Sequence, residues 1–154
     1  MEQNFERLKA HILPLSHAQN FPEARKEWSL VGVEISDEFD SCPCGQDIKE
    51  HCYIENKLTG QKTYVGNVCI NRFIGIDTGN LFGGLKRIAI DAKANANEDL
   101  INHAYRLGYI FENEYGFLMQ TRLKRKLSPA QLAWKEKINR RITNKTVVQR
   151  RTRL

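Results

Sequence analysis

The chain has 154 residues, 41% of them hydrophobic and 27% charged, with a net charge of +6. That composition suits one compact domain or two small ones, and no apolar run approaches the length of a membrane span or the core of a signal peptide. The expected setting is therefore a cytoplasm, where thiols stay reduced and clustered cysteines favour metal over disulfide.

Phe5, Leu8, Ile12 and Leu13 follow helical spacing and predict a short helix over 3–13, stopped by Pro14. A further helical turn is expected after Pro22. The alternation in SLVGVEIS, residues 29–36, predicts a strand, with DEFDS as a polar connection. IKEHCYIEN and KTYVG flank LTGQ and read as a hairpin. Asn67 is placed to cap a helix beginning VCINRF. Glycines fall at 75, 79, 83 and 84; the first part of this stretch reads as a loop, with Thr78 or Asn80 opening a helix over LFGGLKRIAIDAKA whose apolar face runs to Ala92.

Asn95 and Glu98 have capping-box spacing for a helix ending before Gly108. A helix opened by Asn113 is expected to run through the basic residues up to Lys126. Ser128, Pro129 and Gln131 make the clearest helix start in the chain. Leu132, Ile138 and Ile142 supply its apolar positions, with Trp134 off the stripe. After Thr143 no core pattern continues, which predicts a basic flexible tail. The expected organisation is a helix and strand segment over 1–36, a metal-binding module over 37–76, a helical region over 77–143 and the tail over 144–154.

All four cysteines lie between residues 42 and 69. In "CPCG" one proline separates Cys42 from Cys44, and Gly45 lets the chain turn away. A bridge between two cysteines so close would be strained. Cys69 falls at a predicted helix start, where the local dipole favours a thiolate. A tetrahedral zinc site needs a fourth ligand from the hairpin. Cys52 is the preferred candidate and His51 the alternative, because adjacent strand residues face opposite ways. Four thiolates would make a closed, structural site rather than a catalytic one.

Turn, hairpin and a helix bearing a ligand on its first turn together resemble the treble-clef class of zinc finger. The chain departs from that class in having one residue between its first two cysteines and a single ligand at the helix start. The wider pattern is similar to small zinc-finger proteins of bacteriophages and large DNA viruses. It is carried by Cys42, Cys44, Gly45, Ile48, Ile54, Asn56, Thr59, Gly60, Val65, Gly66, Asn67, Cys69, Ile70 and Phe73. Leu127, Ser128, Pro129, Gln131, Trp134, Lys137 and Ile138 carry its later part. The resemblance implies a zinc site and, for a phage product, the host cytoplasm; it implies no particular activity. The expected fold class is α+β: a treble-clef-like zinc module followed by a helical, basic C-terminal region.

Charge is unevenly distributed. From Gln120 onward lie twelve of the 24 Lys and Arg but one of the 18 acids, a net of +11, leaving −5 before it. Segregation of this kind points to a polyanion. The candidate phosphate contacts are Arg122, Lys124, Arg125 and Lys126 at the end of one helix, and Lys135, Lys137, Arg140 and Arg141 along the next. Lys145, Arg150, Arg151 and Arg153 extend the set as an arm. Two helices joined at Leu127–Ser128 have the layout of a helix-turn-helix. Tyr53, Tyr64 and Phe73 could stack on bases, although packing explains them equally simply.

Catalysis has weak support. A nuclease reading of His51 and Asn71 lacks a second histidine between 51 and 103. No phosphate-binding glycine loop precedes a Lys-Ser or Lys-Thr. Asp37, Glu38 and Asp40 read as a solvated loop. The expectation is a noncatalytic, zinc-stabilised accessory protein that binds DNA or RNA, with no membrane or small-molecule substrate. The alternative is an inhibitor or adaptor that docks a host or viral protein through its zinc module.

Overall fold

The structure, a computed structural model, describes residues 2–150, with the backbone alone for Glu2. It is mixed helix and sheet, and it divides into two compact units, Met1–Thr78 and Gly79–Leu154. Arg151 and Arg153, named above as phosphate contacts, lie outside the described residues.

The first unit opens with α1 (Glu2–Ile12), whose Leu8 and Ile12 are fully buried. Pro14 sits in a tight 3-10 turn directly after it. The turn expected at Pro22 is α2 (Phe21–Ala24), capped by Asn20 Oδ1 on the Glu23 amide. Three antiparallel strands follow in the order β1 (Trp28–Ser41), β2 (Asp47–Asn56), β3 (Lys62–Gly66). DEFDS is a continuation of β1 rather than a connection, since Asp40 pairs with Ile48 and Ser41 with Asp47 after an irregularity beyond Ile35. Cross-strand pairing overrides the polar composition there. The expected boundary at residue 36 thus falls inside a strand.

Asn56 builds the β2–β3 turn, its Oδ1 accepting from the Leu58 and Thr59 amides. Gly60 takes a positive φ of 76° there. Glu27 ties the turn to the N-terminal segment by accepting from Asn56 Nδ2, His17 N and Ala18 N. After β3 comes α3 (Asn67–Cys69), running into a π turn (Ile70–Ile74). Gly66, not Asn67, is its N-cap residue. The Asn67 side chain instead accepts from Thr78 Oγ1 and Asn71 Nδ2 at 2.6 and 3.0 Å, bracing the loop that leaves the unit.

The second unit is helical: α4 (Leu81–Ile90), α5 (Glu98–Arg106), α6 (Glu112–Thr121) and α7 (Pro129–Thr143). Asn97, not Asn95, caps α5 by accepting from the Leu100 amide at 2.9 Å. Gly108, at φ 82°, ends that helix as its position implies. The Ser128–Gln131 box is present with both hydrogen bonds, 3.0 and 3.1 Å. Helix α6 stops at Thr121, so Arg122, Lys124, Arg125 and Lys126 lie in the connection to α7. That connection is longer than the tight turn a helix-turn-helix needs. Beyond Thr143 the chain is tied back by Lys145 N to Ile142 O and Thr146 N to Arg141 O, at 3.1 and 3.0 Å, and by the Val148 and Gln149 amides, which both donate to Gly108 O at 2.7 and 3.1 Å.

His103, on α5, is 5% exposed, and Arg106 Nη2 lies 3.2 Å from its Nδ1. A guanidinium can only donate, so Nδ1 accepts and the ring is neutral. Burial, with the charges of Arg106 and Lys145 beside it, pushes its pKa down to about 3 from 6.5. The unfolded chain then binds the extra proton between these two values. Stability of this unit should be intact above pH 6.5 and decline as pH falls toward 3, at up to about 1.4 kcal/mol per pH unit. Trp134 fluorescence during urea unfolding, in a Trp28→Phe background, measures this. His103→Gln should flatten the slope, and an unaltered slope would refute the assignment.

Candidate metal centre and the basic C-terminal region

The tight turn between β1 and β2 holds two of the four cysteines. Cys42 N donates to Gln46 O and Gly45 N to Cys42 O, both at 2.8 Å, and Gly45 adopts φ 99°. A side chain is disfavoured at Gly45 by that dihedral and by the Arg7 guanidinium packed over it. Cys69, on the single turn of α3, comes in from the other side. Cys42, Cys44 and Cys69 Sγ all lie within 4.8 Å of one another, and all three residues are buried. Among the described residues, no other histidine, cysteine, aspartate or glutamate completes this group.

The environment favours thiolate character at Cys42. A hydrogen bond shared with Cys69, 3.8 Å away, and the Gly66 amide donating at 3.3 Å push its pKa down to about 5. Cys69 is driven the opposite way by the same contact and by burial. One proton shared between two close sulfurs gives this pattern, and a cation replacing it would hold both as thiolates. Gly66 also allows Ile48 to approach: a Cβ there would meet Ile48 Cγ2 at 2.8 Å. The role of the Gly66 amide as a donor to sulfur is set by the fold and leaves no signal in residue type or spacing.

Neither candidate for a fourth ligand is within the 4.8 Å group. Cys52 is fully buried in the middle of the sheet, paired with Val33 on one side and Val65 on the other. Burial, with the charges of Glu50 and Cys42, pushes its thiol up to about 12. His51 faces the opposite side of β2, with Nε2 3.3 Å from Asp40 Oδ2 and Nδ1 3.2 Å from Lys49 O. It lies against Tyr64 and Tyr53, at 5.1 and 6.3 Å between ring centroids. Those tyrosines donate to Ser41 O and Glu34 Oε1, and Phe73 packs on Phe5. The three aromatics are thus engaged in local packing.

A cavity of about 310 Å³ opens beside the cluster. Cys42, Cys44 and Cys69 line it together with Ile48, Val68 and Phe73. Asn4, Gln46, Asp47 and Arg72 supply polar groups around it. Neither Cys52 nor His51 reaches it.

The basic residues of the second unit fall into two groups. Lys124, Arg125, Lys126, Lys137, Lys145 and Arg150 are exposed. Arg140 is exposed and pairs with Glu136 at 2.6 Å. Arg122 spans to Glu98 at 3.6 Å and to Met119 O. Two of the named phosphate contacts are not at the surface as expected. Lys135 is 1% exposed and donates Nζ to Asn95 Oδ1. Residues 135, 138, 139 and 142 form the inner stripe of α7, so Lys135 and Asn139 are buried beside Ile138 and Ile142. Arg141 is engaged by Glu114 in a largely buried pair.

Comparison with family models, with curated proteins and with solved structures finds no match to this chain. Among the described residues no helix is long and apolar enough to cross a membrane.

Proposed function

We propose that the protein is a noncatalytic accessory protein of phage type that binds nucleic acid through the exposed cations of its C-terminal region, with zinc at the Cys42–Cys44–Cys69 cluster bracing a treble-clef-like module. Zinc is the reading the donors support: three buried sulfurs on a tight turn and a helix start suit a soft to borderline cation in a reducing compartment. When bound, it would supply cross-linking of the knuckle to α3. The observation that carries the nucleic-acid reading is the run from Lys124 to Arg150, where exposed lysines and arginines meet a single acid, Glu136, itself paired with Arg140. Such a surface attracts phosphates and releases their counterions.

The test is a salt titration of binding to labelled single- and double-stranded DNA and RNA, using metal-quantified full-length protein. About five phosphate contacts predict a log–log slope of roughly −4 to −5 on duplex DNA. Replacing Lys124, Arg125 and Lys126 by Gln should flatten that slope by about 2.7 and weaken binding on every sequence alike. No binding at moderate salt by the metal-loaded protein would sink this reading. A protein-docking role would then come forward, supported by Val68, 67% exposed beside Cys69, and by Leu58 at 66%.

A further inference from the structure

We propose that the three-cysteine centre is completed from the cavity, by a ligand the chain does not supply: a small thiol, with water holding the position in its absence. This rests on the reading of the cluster as a zinc centre. Three sulfurs are gathered within 4.8 Å, and all three residues line the 310 Å³ cavity. A tetrahedral cation held by these three sulfurs would keep a fourth position for another ligand, and the cavity they line has room for one.

Among the described residues, no further histidine, cysteine or carboxylate joins the three sulfurs within 4.8 Å. Cys52 pairs with Val33 and Val65 in the sheet, and its sulfur is not within the group. His51 lies across the sheet with both ring nitrogens near other partners. His11 places Nε2 2.7 Å from Thr63 Oγ1. Asp47 lines the cavity, yet its carboxylate lies outside the group.

The lining selects the ligand. Zinc with three thiolates carries a net charge of −1, so hard anions gain little by joining it. A thiol adds a soft donor that matches the other three. Its carbon body would rest on Ile48, Val68 and Phe73, and its polar end would reach Asn4, Gln46 and Arg72. With zinc bound, the incoming S–H would give its proton to solvent as the sulfur took the fourth position and the water left. No electrons are transferred.

Cobalt-substituted full-length protein, kept reduced with a phosphine, reads the number of sulfur ligands through its thiolate-to-metal absorption. N-acetylcysteine is the probe. The wild-type absorption should rise by about one third on saturation, as three thiolates become four. Cys52→Ser and Asp47→Asn should bind one metal with the wild-type spectrum and respond to the probe as wild type does. Zinc-edge X-ray absorption should count three sulfurs and one lighter atom before the thiol is added. Four sulfurs in the resting protein, or no spectral response to the probe, would overturn the inference while leaving the metal centre standing. The wild-type measurements decide this even if Cys52→Ser fails to fold. A chain that takes up no cobalt or zinc would instead overturn the parent reading.

Discussion

Replacing Cys42 or Cys69 with serine should abolish stoichiometric metal binding and lower the melting point of the first unit by at least ~15 °C. A metal held at about a thousand times its Kd stabilises the folded state by about 4.1 kcal/mol, and 1 kcal/mol shifts a unit of this size by about 4–8 °C. The two substitutions attack the centre from opposite sides: Cys42 sits on the β1–β2 turn and Cys69 on α3. Each leaves two sulfurs, too few to hold zinc against water.

The loss should be local before it is global. The first unit has a core of its own, with Leu8, Ile12, Ile54, Val65 and Ile70 fully buried. That core includes α1 and β1, which a module of hairpin and one short helix would lack. The metal-free variants should therefore retain a sheet while the knuckle and α3 lose hydrogen-exchange protection. Metal analysis with Trp28-monitored melting checks the first part, and native-state exchange checks the second. Metal content and melting point equal to wild type in both variants would refute the centre.

Glu114→Ala should destabilise the second unit by about 3–5 kcal/mol, the cost of leaving a buried charge without its counter-ion. Glu114 is 6% exposed and ties the start of α6 to α7. Its Oε1 accepts from the Phe111 amide at 2.9 Å, ending the backbone before α6. Its Oε2 accepts from Trp134 Nε1 at 3.3 Å and from Arg141 Nη2, both on α7. Trp134 also stacks on Phe117, with ring centroids 4.2 Å apart. Alanine removes all three acceptor contacts and strands the guanidinium.

Denaturant unfolding followed by Trp134 measures the effect. The double variant Glu114→Ala, Arg141→Met should recover part of the loss, because it removes the unpaired charge along with its partner. A single variant within about 0.5 kcal/mol of wild type, the range of ordinary surface substitutions, would show the pair to be a surface contact. The same experiment bears on function. Arg141 is committed to Glu114, so its replacement should change stability more than the salt slope of nucleic-acid binding.

Local signals were legible where the interaction spans a few residues. Ser128, Pro129 and Gln131 name the start of α7 unaided, because a capping box closes within one helical turn. Alternation on either side of LTGQ locates β2 and β3. The same reasoning misplaced the caps at Asn67 and Asn95, whose side chains serve distant partners. Asn95 accepts from Lys135 and donates to Lys124 O, 40 and 29 residues away. No spacing rule reports such contacts. The inner stripe of α7 could have been found: 135, 138, 139 and 142 fit helical period, but a lysine and an asparagine on it read as surface.

By itself the sequence determined the α+β class, the knuckle and helix start that carry cysteines, and the concentration of positive charge after Gln120, all of which depend on residue type and near-neighbour spacing. Only the tertiary structure decided which cysteines converge and which cations reach solvent. Convergence depends on strand register, which pairs Cys52 with Val33 and Val65 inside the sheet. Exposure depends on what packs across each helix, which buries Lys135 beside Ile138 and ties Arg141 to Glu114. Both are long-range properties, set by the lowest-energy packing of elements far apart in the chain.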